Sequence, residues 1–164
     1  RLVGSGDVYK RQVDAFVAMR ETEGEKMKED ILSRANTILS VVGEIEERSP
    51  QIMQEYRSHL TEKIQELLGD TQIDEGRIAT EVTIYADKVC VDEETVRLRS
   101  HFDQLKAFLS AEEPSGRKMD FLVQEMNREA NTIGSKASDS KIAYMVVDIK
   151  AEIEKIREQI QNIE

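Results

Sequence analysis

The stretch "GRKMDFLVQEMNREANTIGSK", residues 116–136, places apolar side chains at Met119, Leu122, Met126, Ala130 and Ile133. Steps of three and four residues follow one face of an α-helix, so the spacing predicts an amphipathic helix. Its polar residues, Gln124, Glu125, Arg128, Glu129, Asn131, Thr132 and Lys136, are more varied than a plain solvated face. At about 100° per residue, Glu125, Glu129, Thr132 and Lys136 form a second stripe beside the first, at the edge of the core. Two carboxylates at i, i+4 repel each other by roughly 0.2–0.5 kcal/mol unless a cation lies between them. A divalent metal or an arginine fills that role. Spacing alone leaves the ordinary alternative open, in which neighbouring Lys and Arg residues pair with them.

The same periodicity extends in both directions. From about Glu21 to Glu47, apolar residues recur at Met27, Ile31, Ala35, Ile38, Val42 and Ile45. Ser49 and Pro50 read as a cap and a first helical position, so a second helix is expected there, ending at Gly69-Asp70. Its stripe is Met53, Tyr56, Leu60, Ile64 and Leu67. The short connection predicts a long antiparallel helical hairpin. Beyond it, helices are expected over about Glu75 to Lys88, from Asp92 as cap through Leu109, over 116–136, and from Lys141 to Ile163. No segment alternates with period two over strand length. The expected fold is all-α, a helical hairpin (13–73) followed by a helical bundle domain (74–164). Residues 1–12, ending in "DVYKRQ", are read as translated sequencing adapter and set aside.

Composition agrees with long amphipathic helices. Of 164 residues, 34% are charged and 5% aromatic, with no Trp and only Pro50 and Pro114 as prolines. The formal charge of −10 opposes attraction of the whole chain to nucleic acid or to an anionic membrane. Residues 114–141, however, carry five basic against four acidic residues, the segment a phosphate-bearing ligand would prefer. Cys90 is the single cysteine, which favours a reducing compartment. Neither a membrane-length apolar run nor a hydrophobic signal segment is present.

Glu94, Arg97 and His101 stand at i, i+3 and i+7, flanking another buried stripe. If their helix packs antiparallel to 116–136, they face Glu125 and Glu129. A His with carboxylates suits a divalent metal; an ion network around Arg97 is the structural alternative. His59 reads as surface or packing. Walker, GxSxG and HExxH patterns are absent, and no Glu-x-x-His pair exists for a di-iron site. Cys90 lacks a nearby His and is not read as a nucleophile.

The blocks "DEGRIATEVTIYADK", "VDEETVRLRSHFDQL", "GRKMDFLVQEMNREANTIGSKASD" and "EIEKIREQIQNIE" resemble, in order and spacing, the C-terminal domain of the bacterial YicC/YloC family. The upstream "MRETEGEKMKEDI" resembles that family's middle region, so the chain reads as a fragment of a larger α/β plus α protein. The resemblance implies a cytoplasmic endoribonuclease that acts on RNA, requires a divalent metal cation such as Mn²⁺ or Mg²⁺, and assembles as a homo-oligomer, a hexamer. Neither DNA nor a membrane is an expected partner. The family's polar positions fall on Glu81, Glu93, Glu94, Arg97, His101, Arg117, Lys118, Asp120, Gln124, Glu125, Arg128, Glu129, Asn131, Thr132 and Lys136. Combined with the spacing, this gives Glu94, His101, Glu125 and Glu129 as expected metal ligands and catalytic residues. Arg97, Arg117, Lys118, Arg128 and Lys136 are expected to hold phosphates, and Gln124, Asn131 and Thr132 to contact the ribose 2′-hydroxyl or orient the others. Cys90 departs from the family's usual Asp or small residue. The competing expectation is a non-catalytic helical adaptor that oligomerises and binds RNA or a partner nuclease.

Overall fold

The structure, a computed structural model, describes residues 3–69 and 72–162. Among these it contains five α-helices and no strand: α1 (Val3–Leu68), α2 (Glu75–Val89), α3 (Asp92–Leu109), α4 (Gly116–Lys136) and α5 (Ser140–Gln161). The all-α expectation holds, and the four later helices begin or end within two residues of the expected positions. Ile163 and Asp70 lie outside the described residues.

The first hairpin does not form as expected. The segments on either side of Ser49-Pro50 make one continuous helix of 66 residues. Pro50 removes the amide that would bond to the carbonyl of Glu46, and as a rule it breaks helices. Tertiary contacts override that local signal. Ile38, Val42, Ile45 and Ile52 are all buried, so one apolar face runs straight past the proline. Ser49 Oγ donates to the Ile45 carbonyl at 3.0 Å. Arg48, just before the proline, bonds Gln51 and Glu55 beyond it and Asp139 at the start of α5. The hairpin that does exist joins the end of α1 to α2: Gly69, at φ +63, ends α1, and Tyr56 stacks on Tyr85 with ring centroids 3.8 Å apart. Leu67, expected in the stripe, is exposed.

Residues 31–52 of α1 pack with α3, α4 and α5 as a four-helix bundle. The cross-helix contacts fix its topology. Arg99 to Glu46 and Lys106 to Asn36 set α3 antiparallel to α1. Arg34 to Glu152 and Arg48 to Asp139 set α5 antiparallel to α1. Arg157 beside Asp120, and Gly134 against Val146, set α4 antiparallel to α5. The core comprises Ile31, Ile38, Phe102, Met126, Ile149 and their neighbours, fully shielded from solvent. Upstream, α1 projects from the bundle, and residues 4–23 are all exposed.

Local capping explains the joints. Asp74 and Asp139 accept amide hydrogens at the N-termini of α2 and α5, and Ser115 does so for α4. Helix α3 differs from expectation: buried Val91 holds the cap position without a side-chain bond, and Asp92 is already in the first turn with Glu93 and Glu94. Three carboxylates at a helix N-terminus still suit its dipole.

Candidate metal and phosphate site

Helix α3 buries Thr95, Leu98, Phe102 and Leu105, while α4 buries Leu122, Met126, Ala130 and Ile133. Residues one step to the side of each stripe therefore meet along the α3–α4 groove. Because the helices are antiparallel, Glu94 lies near Lys136, Arg97 near Glu129, and His101 near Glu125 and Glu129.

Three expected ligands converge. One ligand atom each from His101, Glu125 and Glu129 lie within 4.8 Å of one another. His101 Nδ1 is buried without a hydrogen-bond partner, and Glu129 is only 6% exposed. Burying a charge or polar atom unpaired is costly, so a His and two carboxylates gathered this way suit a bound divalent cation. Each carboxylate has an arginine at the outer limit of ion pairing: Arg97 Nη1 stands 3.9 Å from Glu129 Oε2, and Arg128 Nη1 stands 3.8 Å from Glu125 Oε2.

Glu94 takes a different place from the expected one. It is 3% exposed and lies outside the three-residue group. Its Oε1 accepts from Lys136 Nζ at 2.7 Å, and its Oε2 is buried without a partner. The hydrogen bond to Glu94 holds the Lys136 ammonium above its ordinary pKa, against the opposing effect of burial.

The expected phosphate set divides by position. Arg97, Lys118, Thr132 and Lys136 flank the groove: Arg97 also bonds Glu93 at 3.3 Å, and the Lys118 ammonium sits 5.8 Å from the Phe108 ring centroid. Thr132 Oγ1 donates to the Arg128 carbonyl. Arg117, Gln124, Arg128 and Asn131 lie on the exposed outer face of α4, where Gln124 donates to Asp120 at 3.2 Å. Glu81 is not part of this arrangement; it lies exposed on α2, in a groove against the end of α1. His59 and Cys90 are exposed as well.

Sequence reading missed the most densely bonded charge among the described residues. Arg48, 7% exposed, donates five hydrogen bonds: two to Glu55, two to Asp139 and one to Gln51. Its signal was available, since Arg48 continues the Ile38–Val42–Ile45 stripe at the spacing where an apolar residue belongs.

A sequence profile described as Endoribonuclease YicC-like, C-terminal, matches residues 45–164. The chain is 52% identical over 155 residues to a protein of Clostridioides difficile (strain 630) named "Probable endoribonuclease YicC", covering 92% of this chain and 53% of that one. It is 35% identical over 149 residues to a protein of the same name from Haemophilus influenzae (strain ATCC 51907 / DSM 11121 / KW20 / Rd), covering 91% of this chain and 51% of that one. The chain thus spans about half the length of these curated relatives. The profile match takes in α3, α4, α5 and the groove residues, together with α1 from Ile45 onward, and the chain belongs to the YicC-like endoribonuclease family.

Proposed function

We propose that this chain is the metal- and phosphate-handling helical portion of an endoribonuclease that hydrolyses RNA phosphodiesters with a divalent cation. The convergence of His101, Glu125 and Glu129 carries this reading. The family's relatives supply the reaction class, because both are named for endoribonuclease activity. His101, Glu125 and Glu129 would hold the cation, with Mn²⁺ or Mg²⁺ suited to a carboxylate-rich set. Such an ion supplies Lewis-acid chemistry, activating water and neutralising charge on the phosphate.

The chain's own side chains do the rest. Arg97, beside Glu129, and Lys136, farther along the groove beside Glu94, would hold RNA phosphates, Arg97 bidentately. Glu94 acts as a positioning residue that fixes the Lys136 ammonium, in place of the ligand role expected from spacing. Arg117 and Arg128, on the outer face of α4, would extend the phosphate track, with Gln124, Asn131 and Thr132 offered to the ribose 2′-hydroxyl. Among the described residues, no helix is long and apolar enough to cross a membrane. The setting we propose is cytoplasmic RNA turnover by a homo-oligomer, whose subunits would pool their least acidic segments around one substrate path.

The test is cleavage of a structured RNA by the longer protein, with Mn²⁺ and with EDTA, beside His101→Ala and Glu125→Ala. Cleavage that needs metal and fails in both variants supports the reading. Full activity in both variants sinks the site assignment, and RNA binding without cleavage favours the adaptor.

A further inference from the structure

We infer that Arg97 is an exchangeable guard of the metal site, neutralising Glu129 while no cation is held there and turning to RNA phosphate once one is. The inference rests on the proposed metal site. Glu129 is a buried carboxylate whose ionic partner is Arg97, at 3.9 Å and without a hydrogen bond between them. A settled structural pair would be closer: Arg48 reaches Glu55 at 2.6 and 2.7 Å, and Arg99 reaches Glu46 at 2.9 and 3.0 Å. The Arg97 side chain is 56% exposed while that of Glu129 is 7% exposed, so the arginine approaches from solvent and can withdraw into it.

Withdrawal has a defined endpoint. Arg97 Nη2 already donates to Glu93 Oε2 at 3.3 Å, one turn back on the exposed side of α3. A divalent ion on Glu129 would repel the guanidinium, and Glu93 would keep it at the rim of the groove, with donors free for a phosphate. Arg128 differs: it meets Glu125 from its own helix, is 76% exposed, and leaves a carboxylate that is itself partly solvated. It serves as the matched control for loss of one positive charge.

The experiment measures Mn²⁺ affinity by isothermal calorimetry for the wild-type chain, Arg97→Gln and Arg128→Gln. A fluorescent 2′-O-methyl RNA oligonucleotide is then titrated with and without Mn²⁺. Arg97→Gln should bind Mn²⁺ about fivefold tighter than wild type and Arg128→Gln clearly less so, with Mn²⁺ strengthening RNA binding in wild type but not in Arg97→Gln. Unchanged or weaker Mn²⁺ binding by Arg97→Gln makes Arg97 a buttress of Glu129 and overturns the inference. Equal gains in both variants reduce it to bulk charge, which also overturns it. Absence of Mn²⁺ binding in wild type removes the metal site itself, and the guard with it.

Discussion

Two helix seams of this bundle bury charge in opposite ways. Between α1 and α5, Arg48 makes five hydrogen bonds, two to Asp139, two to Glu55 and one to Gln51, and Arg34 joins Asp30 to Glu152 at 3.0 Å. Between α3 and α4, Glu94 Oε2 and His101 Nδ1 are buried without partners, and Glu129 has only a 3.9 Å contact. The first seam is closed within the fold; the second leaves ligand atoms idle. Unsatisfied buried groups are costly and rare, and they concentrate where a ligand completes them. Satisfaction of hydrogen bonds, more than the number of charges, separates the structural seam from the candidate site.

The sharpest way to break this distinction is to mutate both seams and measure activity and stability together. In the groove, Glu129→Ala should lower metal-dependent RNA cleavage by the longer protein about 10²-fold or more. Its melting temperature should stay near wild type. In the α1–α5 seam, Arg48→Ala should do the reverse. It strands the carboxylate of Asp139, whose side chain is 13% exposed, and should cost about 3 kcal/mol, a drop of roughly 6–12 °C by thermal melting. A large loss of stability from Glu129→Ala would make the groove structural after all.

Pro50→Ala sharpens the account of the closed seam. If the helix is continuous only because Arg48 and the apolar face hold it, restoring the missing amide should stabilise the chain by roughly 1–3 kcal/mol, read as a higher denaturant midpoint. Destabilisation would mean the proline shapes α1 where it meets α2 and α3. There a cavity of about 270 Å³ is lined by Pro50, Met53, Val89 and Cys90, among others.

The seams should also differ in their response to pH. Hydrogen bonds from Arg48 hold the carboxyl groups of Asp139 and Glu55 below their ordinary range, despite the opposing effect of desolvation. Carboxyls with depressed folded-state pKa stabilise fully above their unfolded values, about pH 4, and lose that contribution as pH falls through the folded ones. Lys136 has the opposite sign. Raised by Glu94, it contributes fully below the ordinary lysine value and loses that contribution as pH rises through the folded-state one. Melting curves should therefore drop in acid through the α1–α5 seam, and Asp139→Asn should flatten that drop. A curve for Asp139→Asn that falls as steeply as wild type would place the acid sensitivity elsewhere.

Much of this was legible in the sequence, and the failures have physical causes. Helix α4 matched over its full length because its stripe, its Ser115 cap and the flanking "EEPSG" all agree. Periodicity also placed Glu125, Glu129 and His101 at the edge of a stripe, and antiparallel packing brought them together. The reading failed at Ser49-Pro50 because a local breaker competes with contacts made 91 residues away, which spacing along one helix does not reveal. Glu94 was misplaced for a related reason. It was expected to face Glu125 and Glu129, and the register of α3 against α4 sets it against Lys136 instead.

The finest comparison replaces one carboxylate in each seam, the partly buried Asp139 and the buried Glu94, by its isosteric amide. Asp139→Asn keeps a residue able to cap α5 but removes the charge that accepts two bonds from Arg48 and one from the Ile142 amide. It should cost about 1–2 kcal/mol, since bonds to charged groups are worth more than neutral ones. Glu94→Gln removes a charge that is half used, because Oε1 bonds Lys136 while Oε2 has no partner. Losing the lysine bond is offset by relief of an incompletely paired buried charge, so the net change should fall within about 0.5 kcal/mol of zero. The freed Lys136 should instead show itself in weaker or less salt-sensitive RNA binding. Equal destabilisation by the two substitutions, measured by denaturant unfolding, would erase the difference between a seam that is finished and one that waits for a ligand.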